Sequence, residues 1–163
     1  MKQLILFRHG KSNWDAEYDR DCDRPLAKRG IKAAQAMGRL LSSYTCPDCV
    51  ITSSAVRAKT TIELAMQAGQ WDCPIEITDQ LYEANPEQVL ALVHEVSNTV
   101  NTLLLVGHEP TWSELTSQLI GGGQIRFPTA AMARIDFEIE TWPQVREGQG
   151  TLIWLLQPKF FTG

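Results

Sequence analysis

The chain has no apolar run approaching the roughly 20 residues of a membrane span, so no transmembrane helix is expected in its 163 residues. It has no excess of positive charge either: 15 lysines and arginines stand against 19 acids, a formal net charge of −4. A nucleic-acid partner, which needs a basic face over the phosphate backbone, is therefore not expected. Cysteine is sparse, at four residues. Cys46-Pro47-Asp48-Cys49 has redox spacing, but it stands before a β-branched run rather than opening a helix after one, where a helix terminus would lower the thiol pKa. Zinc would need two further ligands, and no second Cys-x-x-Cys or His pair supplies them. The cysteines are read as ordinary turn residues. A carboxylate cluster of the magnesium-binding kind is also missing, so neither metal nor cofactor is expected. Repeats, low-complexity tracts and a signal-peptide pattern behind Met1-Lys2-Gln3 are absent too. One cytoplasmic domain over residues 1–163 is the expectation.

At 44% hydrophobic residues the chain is long enough to bury a core. Short apolar runs alternate with segments of helical period. Strands are expected at 3–7, 50–52, 75–77 and 102–106, and helices at 27–43, 55–68, 86–97 and 110–119. In the first helix Ala33, Ala36, Met37, Leu40 and Leu41 share a face; in the third Val89, Leu92, Val93 and Val96 point inward. Pro110 suits the first helical position, and Gly121 can end the helix that follows. Residues 131–139 and 150–156 read as two strands with no helix between them. The pattern predicts an α/β fold of three layers: a mostly parallel central sheet, helices on both faces, and an antiparallel C-terminal strand pair at or near a sheet edge.

Three strand ends carry the chemistry. Arg8-His9-Gly10 follows the run Leu4-Ile5-Leu6-Phe7, at the carboxyl end of a strand, where such folds place ligands. Arginine presents a planar fork that matches phosphate oxygens, and neutral histidine is a nitrogen nucleophile. Val50-Ile51-Thr52 runs into Ser53-Ser54, hydroxyls able to cap a helix, and Arg57 then falls in that helix's first turn, which favours anions. Leu103-Leu104-Leu105-Val106 ends in Gly107-His108, where the glycine suggests a close backbone approach at a site. Parallel neighbouring strands would gather Arg8, His9, Arg57 and His108 on one edge of one sheet. Trp14 and Trp112 are candidates to wall the pocket or to fill the core, His94 is expected to be exposed, and Gly121-Gly122-Gly123 is read as a loop, since no Lys-Ser/Thr follows it.

The set Arg-His-Gly, Ser-x-x-x-Arg-Ala and Gly-His, with Asp23-Arg24-Pro25-Leu26-Ala27-Lys28-Arg29-Gly30 between the first two, resembles the histidine phosphatase (phosphoglycerate mutase-like) superfamily. It is most similar to the SixA-like phosphohistidine phosphatases, from Leu4 to about Ile135. The resemblance implies that His9 is the phosphorylated nucleophile and that Arg8, Arg57 and His108 complete the phosphate pocket. It also implies that Glu83, in Leu81-Tyr82-Glu83-Ala84, matches a carboxylic proton donor. Two positions depart from the pattern. Lys11 and Asp15 stand where many relatives have Glu and Asn, which speaks against the mutase and sugar-phosphatase branches. Ser54 replaces a proline, a silent change.

Between Asp15 and Arg24 five acids face two arginines. An acidic rim would repel polyanions and tolerate a phosphoryl group on a neutral or basic carrier. The expected activity is therefore a metal-independent phosphatase acting through His9 on phosphohistidine in a protein or on a small phosphomonoester, with a protonated His108 beside the arginines. Its rivals are a phosphoglycerate mutase-like or sugar-phosphate phosphatase, and a non-catalytic phospho-ligand binding module.

Overall fold

The computed structural model describes residues 1–162. Six strands form one sheet: β1 (Lys2–Arg8), β2 (Cys49–Ser53), β3 (Ile75–Thr78), β4 (Thr102–Gly107), β5 (Met132–Phe137) and β6 (Thr151–Leu156), in the order β3-β2-β4-β1-β5-β6. The first four are parallel; β5 runs antiparallel to β1 and β6 antiparallel to β5. The C-terminal pair is thus half interior: β6 is the edge, while β5 is sandwiched between β1 and β6.

Four helices cover the sheet: α1 (Lys28–Ser42), α2 (Val56–Gly69), α3 (Pro86–His94) and α4 (Thr111–Ile120). The pleat sends alternate residues of a strand to opposite faces. Ile5 and Phe7 accordingly pack with Met37, Leu41 and Ile62 of α1 and α2, while Leu4 and Leu6 pack with Val89, Val93, Trp112 and Leu115 of α3 and α4. Strands covered on both faces must be apolar throughout, which is why β4 reads Thr-Leu-Leu-Leu-Val-Gly and is buried along its whole length.

Several local expectations need correction. No hydroxyl caps α2: its N-cap is Ala55, and the Ser53 hydroxyl instead accepts the Ala55 N–H at 3.2 Å. Pro110 is the N-cap of α4 rather than its first residue, and Gly121 ends that helix in the left-handed conformation (φ 99°) as expected. The third helix stops at His94, three residues early, where the Glu95 and Val96 N–H groups turn to carbonyls three residues back. His94 is half-buried rather than exposed, with Nε2 2.9 Å from the Val145 carbonyl oxygen.

Glycines set how closely the elements that flank the site approach. A Cβ on Gly38 of α1 would lie 2.0 Å from the Ala65 carbonyl oxygen of α2. A Cβ on Gly30 would lie 2.3 Å from the Lys11 carbonyl oxygen, and one on Gly10 would lie 2.8 Å from that of Gly30. The start of α1 is therefore pressed backbone to backbone against the loop that leaves β1.

Candidate active site

Strand register decides which side chains meet. Arg8 of β1 pairs with Gly107 of β4, and the His9 N–H donates to the Gly107 carbonyl at 3.1 Å. His9 and His108 therefore leave neighbouring strands side by side, with ring centroids 5.1 Å apart. Strand β2 lies on the other side of β4, and the Ser53 Oγ at its end is 2.8 Å from His108 Nε2. Arg57 enters one turn later from α2. That helix is tied to the loop by Thr61, whose Oγ1 accepts the Gly10 N–H at 3.0 Å and donates to the Arg57 carbonyl at 2.6 Å.

All five residues singled out from the sequence, Arg8, His9, Arg57, Glu83 and His108, line one cleft of about 530 Å³. His9 and Arg57 are each only 6% exposed and His108 9%. His9 Nδ1 lies 2.7 Å from the Gly10 carbonyl oxygen. A carbonyl can only accept, so Nδ1 carries the proton and Nε2 keeps the lone pair. Burial pushes the His9 pKa down to about 3, aided by His108, Arg57 and Arg8 and opposed by the Gly10 carbonyl. Burial, then Arg57, pushes His108 down to about 4. Both rings are thus neutral near pH 7. The expected protonated His108 requires an anion beside it: an imidazole so buried, beside so many cations, does not hold a second proton on its own.

Glu83 is exposed at the cleft wall and holds a left-handed backbone (φ 55°). For a residue with a Cβ that conformation costs about 1–2 kcal/mol, and such strain clusters at functional sites. The two tryptophans divide. Trp14 lines the cleft, 62% exposed, whereas Trp112 is 1% exposed in the core. A Cβ on Gly107 would lie 2.6 Å from the Trp112 ring. The close approach at Gly107 therefore serves an aromatic beneath the site rather than a ligand above it.

Three participants were missed. Arg24 is 4% exposed, lines the cleft, and stacks on Trp14 with its guanidinium carbon 3.6 Å from the ring centroid. Asp21 bonds to Arg24, accepts from Arg57 Nη2 at 3.0 Å on Oδ2, and accepts from the Tyr82 hydroxyl on that same oxygen at 2.6 Å; its backbone carbonyl accepts from Arg57 Nη1 at 2.8 Å. These donors, Tyr82 foremost, hold the Asp21 carboxyl well below the usual range, and the same contact pushes the Tyr82 phenol up to about 12. Tyr82 also meets the His108 ring edge-on, with centroids 5.6 Å apart. The loop from Ser12 to Leu26 thus folds back on the site, closed at its base by the Ser12–Leu26 bridge. Arg24, just before Pro25, was the residue in that loop the sequence could have flagged.

The acidic rim also differs from expectation. Asp21 is paired with arginines, Asp23 pairs with Arg20 at 3.3 Å, and Asp15, Glu17 and Asp19 do not line the cleft. The carboxylates that do line it besides Asp21 are Glu83, Glu109 and Glu114, facing Arg8, Lys11, Arg24 and Arg57. Among the described residues no group of three or more His, Cys, Asp or Glu side chains could hold a metal ion, and no helix is long and apolar enough to cross a membrane. Burial raises the Cys49 thiol pKa, the reverse of what a reactive Cys-x-x-Cys thiol needs, and pushes that of Cys73 up to about 11.

The model of the histidine phosphatase superfamily (branch 1) matches residues 4–100. An uncharacterised protein of Mycobacterium tuberculosis is 35% identical, over 93% of this chain and 99% of its own length. A solved structure assigned as the phosphohistidine phosphatase SixA of Agrobacterium tumefaciens is 28% identical with a TM-score of 0.81, covering 96% of this chain and 98% of its own. The protein histidine phosphatase SixA complexed with tungstate is 25% identical with a TM-score of 0.83, over 97% and 98% of the two chains.

Proposed function

Because the chain belongs to the histidine phosphatase superfamily, and so is a phosphatase, we propose that it carries the phosphoryl group on His9, without a metal, and takes it from phosphohistidine in a protein or from a small phosphomonoester. One observation carries this reading. His9 is buried, neutral, and fixed by the Gly10 carbonyl so that Nε2 is the free nitrogen in a cleft lined by arginines. A module that only bound phosphate would need the arginines and amides but no nucleophile.

In the first step Nε2 attacks phosphorus in line, the N–P bond forming as the bond to the leaving atom breaks. Arg8 and Arg57 stabilise charge on the equatorial oxygens, and His108, which gains its second proton as the phosphoryl anion enters, donates an N–H beside them. Glu83 protonates the leaving group; its strained backbone on the cleft wall supports that role. In the second step water attacks phosphorus, the N–P bond breaks, and phosphate departs with Glu83 reversed in role. Fixed guanidiniums supply the positive charge that a metal ion provides in other phosphoryl transfers.

The charge around the cleft favours a carrier with no second phosphate. Four cations face four carboxylates, so once a phosphoryl dianion is bound, little positive charge remains for another anionic group. The SixA structures, one named a phosphohistidine phosphatase and the other a protein histidine phosphatase, support the same choice. The test is a panel in excess EDTA: a phosphohistidine-bearing protein, para-nitrophenyl phosphate, 3-phosphoglycerate and 2,3-bisphosphoglycerate. Phosphate release from the first two, with the bisphosphate poorest, is expected. Preference for the bisphosphate, or activity that returns only with added magnesium or zinc, would overturn the reading.

A further inference from the structure

Beside the cleft lies a second concavity of about 330 Å³, between the first turns of α1 and the 3-10 turn Pro158–Phe160. Among the described residues its charged lining is Lys11, Arg29, Lys32 and Lys159, with no carboxylate side chain. All four are exposed, and none forms an ion pair among the described residues. In a chain of net charge −4, four cations gathered around one groove repel one another and raise a local positive potential that attracts an anion. The start of α1 adds to this field. It has no acidic residue in its first turn and no side-chain cap, so its dipole end adds positive potential that no acid there offsets.

Two features say what sits there. Lys11 and Thr129 line both the groove and the catalytic cleft, so the two adjoin. The groove is concave, and beside Lys159 the rings of Phe160 and Phe161 are 69% and 42% exposed, a mixture of charge and aromatic surface that suits a peptide segment better than a flat membrane. Glu109 and Glu114 line the cleft but not the groove. A substrate acidic on one side of its phosphorylated residue is therefore attracted on the groove side and repelled on the other, which fixes its direction.

We propose that this groove docks an acidic segment of the protein whose phosphohistidine enters the cleft. The proposal rests on the phosphohistidine reading above and adds the chemistry of the flanking chain.

The probes are two synthetic phosphohistidine peptides, identical except that one carries a run of glutamates and the other glutamines, together with the unphosphorylated glutamate peptide. The variant is Arg29→Glu/Lys159→Glu, which reverses charge on both walls of the groove; a carboxylate at position 29 lies in the first turn of α1, where it favours the helix. Wild type is expected to turn over the glutamate peptide with about tenfold lower KM than the glutamine peptide, a gap that closes in the variant and at high salt. Rates on para-nitrophenyl phosphate, which reads the cleft alone, should agree between wild type and variant. Direct binding of the unphosphorylated glutamate peptide should weaken by a similar factor in the variant. Turnover of neither peptide alongside intact para-nitrophenyl phosphatase activity would sink the phosphohistidine reading, and the binding measurement would still read the groove. Equal binding by wild type and variant, or no glutamate preference in wild type, would overturn the docking proposal. So would charge-dependent binding to phosphatidylserine vesicles in place of the peptide.

Discussion

The two buried histidines tie catalysis to stability. Their folded pKa values, about 3 for His9 and about 4 for His108, lie below the ordinary value near 6.5. Below pH 6.5 the unfolded chain takes up protons that the folded chain refuses, so stability falls with pH and does not recover at neutral-acidic values. For an imidazole that stays neutral the loss reaches about 2 kcal/mol by pH 5. Asp21 does not offset this, because its depressed pKa makes a contribution that is lost only at far lower pH. Urea midpoints at pH 7 and pH 5 should therefore drop steeply in wild type and less steeply in His9→Gln and in His108→Gln. Equal drops in all three would mean that the rings are not held neutral. The same burial keeps His9 Nε2 unprotonated, and so nucleophilic, across the physiological range.

At the scale of elements, the site depends on how closely α1 and α2 approach. Gly38→Ala would place a methyl carbon 2.0 Å from the Ala65 carbonyl oxygen, and backbone cannot yield as a flexible side chain would. A loss of about 3 kcal/mol is expected by chemical denaturation. Activity should fall too, since α1 braces Gly10 and α2 presents Arg57 and Thr61. A Gly38→Ala protein as stable as wild type would show that the helices can part without cost. The strands were legible to within a residue or two because runs such as Leu103–Val106 have no other place to be but a sheet buried on both faces. The contact at Gly38 was not legible, because nothing local distinguishes a glycine that admits a neighbouring helix from one that merely weakens its own. The surroundings of His94 and Ser53 were not legible either: their side chains meet Val145 and His108, both more than fifty residues away.

For the molecule as a whole, the sheet acts as a frame that delivers side chains to one edge. Arg8, His9 and His108 stand at the ends of adjacent parallel strands and Arg57 just beyond a third, so their meeting was readable from motif and order alone. Arg24, Asp21 and Tyr82 come from loops, whose path is set only once the sheet exists. From sequence they were a charge count and a neighbour of Glu83. In the fold they form a bridge in which one carboxylate joins two arginines and a phenol. The charge pattern likewise emerges only at this scale: a cleft of balanced sign beside a groove of cations. What everything converges on is the nitrogen of one histidine.

The most direct test is to trap that nitrogen. Wild-type protein mixed with substrate labelled at phosphorus, and quenched in base within a single turnover, should carry one acid-labile, base-stable phosphoryl group, mapped by mass spectrometry to His9. His9→Ala should carry none and lose turnover by several orders of magnitude, while still binding phosphate or vanadate. Label on any other residue, or hydrolysis that proceeds unimpaired in His9→Ala, would contradict the account.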